Sequence, residues 1–328
     1  MNGLRNNIVS EVAIDEAAAG QRLDNFLART LKGVPKSHLY RIVRSGEVRV
    51  NGRRAGPDAR LAEGDRVRIP PVRTARPDAL PAASAGAAKA GERLAVLYED
   101  DDLLALDKPA GVAVHGGSGI AHGVIERLRA ARPGARFLEL VHRLDRETSG
   151  VLLVAKRRAA LAALHAAWRA GEVDKRYVVL VRGRWRDARR VVRLPVHRYL
   201  TRDGERRVRV DDDGQHAQTT FRRIRTWPAG DTPVALLEAE LHTGRTHQIR
   251  VHLTHLGFPL AGDDKYGDFA WNRALAERGL KRMFLHAASL AIAHPRTGEA
   301  LLIASPLPAD IAGFVATLGP AASGRTDA

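Results

Sequence analysis

Apolar residues in the first part of the chain recur three and four apart. Leu23, Phe26, Leu27 and Leu31 share one helical face, and Leu39, Ile42 and Val43 repeat the pattern after Pro35, with Ser37 as the predicted N-cap. Ser45-Gly46 ends the second predicted helix. Glu47–Val50 then reads as a strand, Asn51-Gly52 as a two-residue turn and Arg53-Arg54 as the return strand of a basic hairpin. Between 73 and 93 the periodicity stops. RTARPDALPAASAGAAKAGER is rich in Pro, Ala and Gly, which predicts a flexible linker and a domain boundary. Beyond it, Leu94–Tyr98 and Leu103–Leu106 are strand-like runs on either side of the acidic turn Glu99–Asp102. Val151–Ala155 and the stretch Asp174–Leu180 read as further strands, and Ile249, Leu253 and Leu256 return to helical spacing, closed by Gly257. The cluster Gly116–Gly119 has neither the flanking strand and helix of a dinucleotide fingerprint nor the lysine of a P-loop, and reads as a plain loop.

Composition narrows the class. The chain has 328 residues, 45% hydrophobic and 27% charged, which suits a globular protein of about two domains. No apolar run is long enough to span a bilayer, and Glu11, Asp15 and Glu16 stand where a signal peptide needs an apolar stretch, so export and membrane insertion are not expected. Cysteine is absent, which excludes disulfides, thiol nucleophiles and cysteine-ligated metals and fits a reducing compartment. The formal net charge of +16 points to a polyanionic partner, foremost nucleic acid. A high-GC genome would also enrich arginine, so position has to decide. From Lys32 to Arg60 eight basic residues face two acidic ones, and Lys36, Arg41, Arg44, Arg53 and Arg54, with the Ser37 hydroxyl, form a candidate phosphate-binding surface. Arg182–Arg209 holds eleven arginines against three acids and is a second candidate RNA surface.

Chemistry concentrates in two stretches, His142–Gly150 and Leu241–Arg250. Glycoside hydrolysis needs two facing carboxylates, and spacing alone does not bring Asp145 and Glu147 together. A metal site from His247, His252 and His255 is disfavoured, because residues five apart share a helical face poorly. A serine triad lacks its nucleophile elbow. One carboxylate, Asp145, amid arginines remains. The four histidines, His142 included, read as structural or RNA-facing, and Lys265-Tyr266 as loop packing.

HRLDRETSG, KRYVVLV, TGRTHQIRVHLTHLG, GDDKYG and FLHAASL, in that order over about residues 94–310, resemble the RluA/RluC family of RNA pseudouridine synthases. RLDNFL, LKGVPKS and GEVRVNG, over roughly residues 20–70, resemble the small RNA-binding domain named after ribosomal protein S-four, and the N-terminal stretch as a whole is most similar to the RluC branch, which modifies 23S ribosomal RNA. The resemblance implies an α+β protein. An N-terminal extension and S-four-like RNA-binding domain would occupy 1–72 and a flexible linker 73–93. A pseudouridine synthase catalytic domain, with a mixed, mainly antiparallel sheet and flanking helices, would span 94–318 before a disordered tail at 319–328. It also implies Asp145 as nucleophile, Arg143 filling the gap left by a flipped nucleotide, Tyr177 stacking on the target base, Arg245 pairing with the catalytic carboxylate, and Leu285 under the pocket. No cofactor and no metal are implied. The implied partner is 23S ribosomal RNA or the precursor large subunit, met in the bacterial cytoplasm by a monomer, with no membrane involved. The alternatives are a non-catalytic RNA-binding ribosome assembly factor and the same chemistry on another RNA.

The residues suit that chemistry. Isomerising uridine breaks the glycosidic C–N bond, turns the uracil and joins its carbon 5 to the anomeric carbon, with no net redox change. A single carboxylate suffices as nucleophile, and a neighbouring arginine favours the charged form that desolvation alone would disfavour. The uridine must leave the RNA stack at a cost of a few kcal/mol, which a filler arginine and a stacking tyrosine offset.

Overall fold

The computed structural model describes residues 9–15, 18–31, 34–72, 94–116, 123–228 and 232–321. The expected linker, most of the Gly116–Gly119 loop and most of the expected tail lie outside them. The chain falls into two compact units, Met1–Ala85 and Gly86–Ala328.

The first unit comprises β1 (Ser10–Ala13), α1 (Leu23–Thr30), α2 (Lys36–Arg44), β2 (Arg49–Val50) and β3 (Arg66–Ile69). The seven apolar residues of the two helical stripes are all buried in one core with Val48, Val67 and Ile69. Two local expectations change. Pro35, with φ −58° and ψ 141°, occupies the N-cap of α2, and Ser37 lies inside the first turn without a capping bond, because proline's locked φ suits the helix entrance. Asn51 and Gly52 do reverse the chain at positive φ, 50° and 76°, and Val50 and Arg53 exchange backbone hydrogen bonds of 2.9 Å. The return strand ends at that bridge, however. β2 pairs instead with β3, and Asn51 fixes this choice by accepting the Arg66 N–H at 2.8 Å and donating to Asp65 at 2.8 Å.

The second unit runs β4 (Ala95–Glu99), β5 (Leu103–Lys108), α3 (Val124–Ala131), β6 (Glu139–Leu140), β7 (Ser149–Ala155), α4 (Arg158–Ala170), β8 (Asp174–Arg182) and β9 (Arg189–Arg193). It continues β10 (Val196–Leu200), β11 (Arg206–Val210), β12 (Gln218–Trp227), β13 (Val234–Leu241), α5 (Gln248–His255), α6 (Phe269–Glu277), β14 (Leu285–Ala293), β15 (Ala300–Ala304) and α7 (Ala309–Thr317). Ten strands form one sheet in the order β4-β5-β7-β14-β8-β13-β12-β9, with β6 on β7 and β15 on β14. Only β7 and β14 run parallel; the other neighbours are antiparallel, as the mixed, mainly antiparallel expectation requires. β10 and β11 form a separate two-stranded hairpin. β7 is buried at every position, which its unbroken apolar run after Ser149 reflects. The described residues continue to 321, and the Gly319 carbonyl accepts the Trp227 indole N–H at 3.0 Å.

Strand register assembles the site. Ala287 on β14 lies opposite Gly150 of β7 on one side and Tyr177 of β8 on the other. Gly150 has φ +109°, and a Cβ there would stand 2.2 Å from the Ala287 carbonyl oxygen. Only glycine permits this approach.

Candidate active site

The loop that carries Asp145 connects β6 to β7 and is tied at several points. Thr148 N–H donates to the Asp145 carbonyl at 3.1 Å, and Arg146 Nε donates to the Gly111 carbonyl at 3.0 Å. Lys108 is fully buried, and its three ammonium hydrogens are matched by the carbonyls of Pro109, Val112 and Arg146 at 2.9, 2.8 and 3.0 Å. Burial pushes Lys108 down to about 7, while Glu147 and Asp145 favour its charged form. His142 stacks on Trp168, 5.3 Å between ring centres, and its Nε2 accepts the Leu153 N–H at 3.1 Å. Burial lowers His142 to about 4.

Arg143, Asp145, Tyr177, Arg245 and Leu285 all line one cavity of about 150 Å³. Residues up to 140 positions apart are thus brought together: Asp145 from the loop before β7, Tyr177 from β8 and Leu285 from β14. Tyr177 is buried; burial and the Asp145 charge both raise its hydroxyl above the ordinary tyrosine range. Glu147 lines a different cavity, so the two carboxylates do not face one another.

The ion pair differs from expectation. Arg245 lines the cavity, but its Nε donates to the His216 carbonyl at 3.0 Å. The guanidinium beside Asp145 is that of Arg250, with Nη1 3.3 Å from Oδ2. The reason lies in the helix. α5 starts at Gln248, whose side chain ties the preceding turn by accepting the Arg245 N–H at 3.0 Å, and Arg250 then falls on the inward face. There Asp263, fully buried, takes Arg250 Nε at 2.7 Å and Nη2 at 2.6 Å, leaving Nη1 for Asp145. Burial would lower Arg250, but Asp263 and Asp145 more than offset it and hold the guanidinium above its ordinary range. The available signal was a charged residue among the apolar positions of a predicted helix, followed by an acidic pair in GDDKYG.

Three more residues escaped the sequence reading. His247 Nε2 lies 3.7 Å from Asp145 Oδ2, Tyr266 is hydrogen-bonded to His247 Nδ1 at 2.8 Å, and Arg198 of β10 lines the cavity. Tyr266 is therefore more than loop packing. His252 is buried against Thr219 and the Leu194 carbonyl and His255 is exposed, so the histidines do not converge on a common point. In the first unit, Lys36, Ser37, Arg41, Arg44, Arg53 and Arg54 are exposed on α2 and the turn after β2. Arg41 contacts His38 at 3.2 Å and Arg54 donates to the Ser45 carbonyl at 3.2 Å, whereas no ion pair holds Lys36, Arg44 or Arg53 among the described residues.

A family model described as RNA pseudouridylate synthase matches residues 102–255, and one described as the S4 domain matches residues 21–67. Ribosomal large subunit pseudouridine synthase C of Yersinia pestis is 50% identical over 302 residues, covering 92% of this chain and 93% of that protein. The chain belongs to the RNA pseudouridine synthase family. The Escherichia coli (strain K12) protein with the same name as the Yersinia one is 50% identical over 301 residues, 91% of this chain and 93% of its own length. Among solved structures, human RNA pseudouridylate synthase domain containing 1 superposes with a TM-score of 0.55 at 29% identity, covering 66% of this chain and 84% of its own. This pseudouridine synthase is an isomerase with an N-terminal S4 domain, as the sequence resemblance implied. Among the described residues, no helix is long and apolar enough to cross a membrane.

Proposed function

We propose that this pseudouridine synthase isomerises uridines of 23S ribosomal RNA, with Asp145 as nucleophile, and that it works as a monomer in the cytoplasm on that RNA or the precursor large subunit. Two curated relatives named for the large ribosomal subunit, each 50% identical over more than nine tenths of this chain, support the substrate. The observation that carries the mechanism is the position of the Asp145 carboxylate, in one cavity with Tyr177 and 3.3 Å from the buried Arg250. A carboxylate so placed attacks the nucleoside, and the uracil leaves as an anion that the nearby guanidinium stabilises. The base then turns and carbon 5 bonds to the anomeric carbon as the bond between Asp145 and the nucleoside breaks and frees the carboxylate; the hydrogen on carbon 5 departs as a proton and N1 gains one. The atoms balance without a co-reactant.

Arg143, exposed at the cavity, occupies the gap that the flipped nucleotide leaves, and Tyr177 stacks on the base. Tyr177, Leu241 and Leu285 give the cavity apolar walls that keep the detached uracil from water. Lys36, Ser37, Arg41, Arg44, Arg53 and Arg54 contact phosphates and hold the RNA without reading its sequence. Asp145→Asn tests the nucleophile: tritium release from ribosomal RNA labelled at uridine carbon 5 is expected to vanish. Release at the wild-type rate overturns the assignment. Salt-sensitive RNA binding by the wild-type protein without any release favours an assembly factor. Mapping pseudouridine in total RNA from cells with and without the gene identifies the substrate; lost sites outside 23S ribosomal RNA overturn it.

A further inference from the structure

We propose that Tyr266 and His247 form a directed hydrogen-bond relay that orients Asp145, anchored on the β10–β11 hairpin. The proposal rests on Asp145 being the nucleophile. His247 precedes α5 in a left-handed conformation, φ 53° and ψ 21°, which a non-glycine side chain adopts only when its surroundings hold it. Its ring is engaged on both edges. Nδ1 lies 2.8 Å from the Tyr266 hydroxyl and Nε2 3.7 Å from Asp145 Oδ2.

The direction follows from the third member. The Tyr266 oxygen accepts the backbone N–H of Val208, on β11, at 2.9 Å. A phenol oxygen that already accepts keeps its own hydrogen to donate, and His247 Nδ1 is the acceptor within reach. Nδ1 is then the unprotonated nitrogen, and the ring hydrogen sits on Nε2, facing the carboxylate. Burial pushes the His247 imidazole below its ordinary value, so the neutral ring prevails; Arg250 and Lys265 act in the same direction, Asp145 and Asp263 against it.

Arg250 Nη1 addresses the same oxygen as His247. Among the described residues no hydrogen bond reaches Asp145 Oδ1, which leaves that oxygen to meet the substrate. At 3.7 Å the Nε2 contact is longer than a hydrogen bond, and a shift of a few tenths of an ångström on substrate binding closes it. The hairpin is stitched to the same loop: Arg207 Nη1 donates to the Lys265 carbonyl at 3.2 Å, and Lys265 pairs with Glu205. β10, the partner of β11, sends Arg198 to the cavity. A displaced hairpin would therefore release Tyr266, free the His247 tautomer and loosen Asp145, so the carboxylate is set only when the hairpin is seated.

The test uses the full chain with a single-turnover assay on a uridine-containing RNA stem-loop and nitrogen NMR of labelled histidine. Tyr266→Phe keeps the ring under Arg250 and removes only the hydroxyl. His247→Asn keeps a residue type that tolerates the left-handed backbone and assigns the His247 signals by their loss. Each variant is expected to slow the single-turnover step about tenfold with RNA affinity unchanged within about twofold, and the double variant to be no slower than the slower single one. In the wild type the His247 spectrum should show Nδ1 unprotonated at neutral pH, with the preference lost in Tyr266→Phe. A protonated Nδ1 in the wild type, a wild-type rate in Tyr266→Phe or multiplying effects in the double variant would overturn the relay. An active Asp145→Asn variant would instead remove the reading beneath it while leaving the tautomer result standing.

Discussion

His142, three residues before the proposed nucleophile, shows how a side chain that takes no part in the reaction can set the pH range of the site. Its Nε2 accepts the Leu153 N–H, so protonation removes an acceptor as well as charging a buried ring. The ordinary value of 6.5 falls to about 4 in the folded protein. Between those values the unfolded chain binds the proton and the folded chain does not, so stability rises with pH there and is lost on acidification. Going from about pH 7 to about pH 5 should cost about 1–2 kcal/mol from this residue, allowing for partial exposure of the ring. Urea unfolding of His142→Gln, whose amide oxygen can still accept the Leu153 N–H, should show that much less acid sensitivity than the wild type. Equal losses in the two proteins would clear His142. The sequence pointed to HRLD as the chemical centre because titratable groups gather before a buried strand. It could not rank the arginines, since Arg245 and Arg250 differ only in which face of α5 and its entry turn they occupy, and the Asp263 that selects Arg250 comes thirteen residues later.

At the scale of elements, the site depends on a junction that no local pattern encodes. The helical stripes of α1 and α2 were legible because their periodicity is local, and β7 because its apolar run is unbroken. The parallel pairing of β7 with β14 joins segments more than 130 residues apart, and only packing decides it. The hairpin predicted at Asn51-Gly52 shows the converse error: the turn formed as its residues dictate, but strand partners were chosen by the Asn51 hydrogen bonds to Arg66 and Asp65. Gly150 is where the β7–β14 junction can be probed. Gly150→Ala puts a methyl group 2.2 Å from a backbone oxygen at φ +109°, where neither atom belongs to a flexible side chain. A loss of at least about 2 kcal/mol is expected, since the left-handed backbone and the overlap both oppose alanine. Because Ala287 also borders Tyr177, the rate of tritium release by the folded fraction should fall as well. Normal stability in denaturant titration would mean that β14 can retreat without cost.

For the molecule as a whole, the two units hold separate cores. Leu27 and its neighbours form one buried cluster of the first unit, and Leu104, Leu152, Tyr177 and Leu285 belong to a cluster of the second. Stability and RNA docking should therefore be separable from chemistry. Leu27 is fully buried, and Leu27→Ala should cost about 2–5 kcal/mol through reduced burial and the cavity left behind. In calorimetry the wild type should unfold in two transitions, of which the variant lowers one and leaves the other in place. The functional consequence follows from where the charges sit. Above the lowered transition the variant loses the ordered surface that carries Lys36, Arg44 and Arg53, so its affinity for long ribosomal RNA should drop and depend less steeply on salt, by about 0.7–0.9 in the logarithmic slope for each phosphate no longer neutralised. Single-turnover isomerisation of a saturating short stem-loop at the same temperature should stay within about twofold of wild type, because Asp145, Tyr177 and Arg250 all belong to the second unit. A joint loss of chemistry and docking would show that the S4 domain shapes the catalytic cavity and does more than deliver RNA to it.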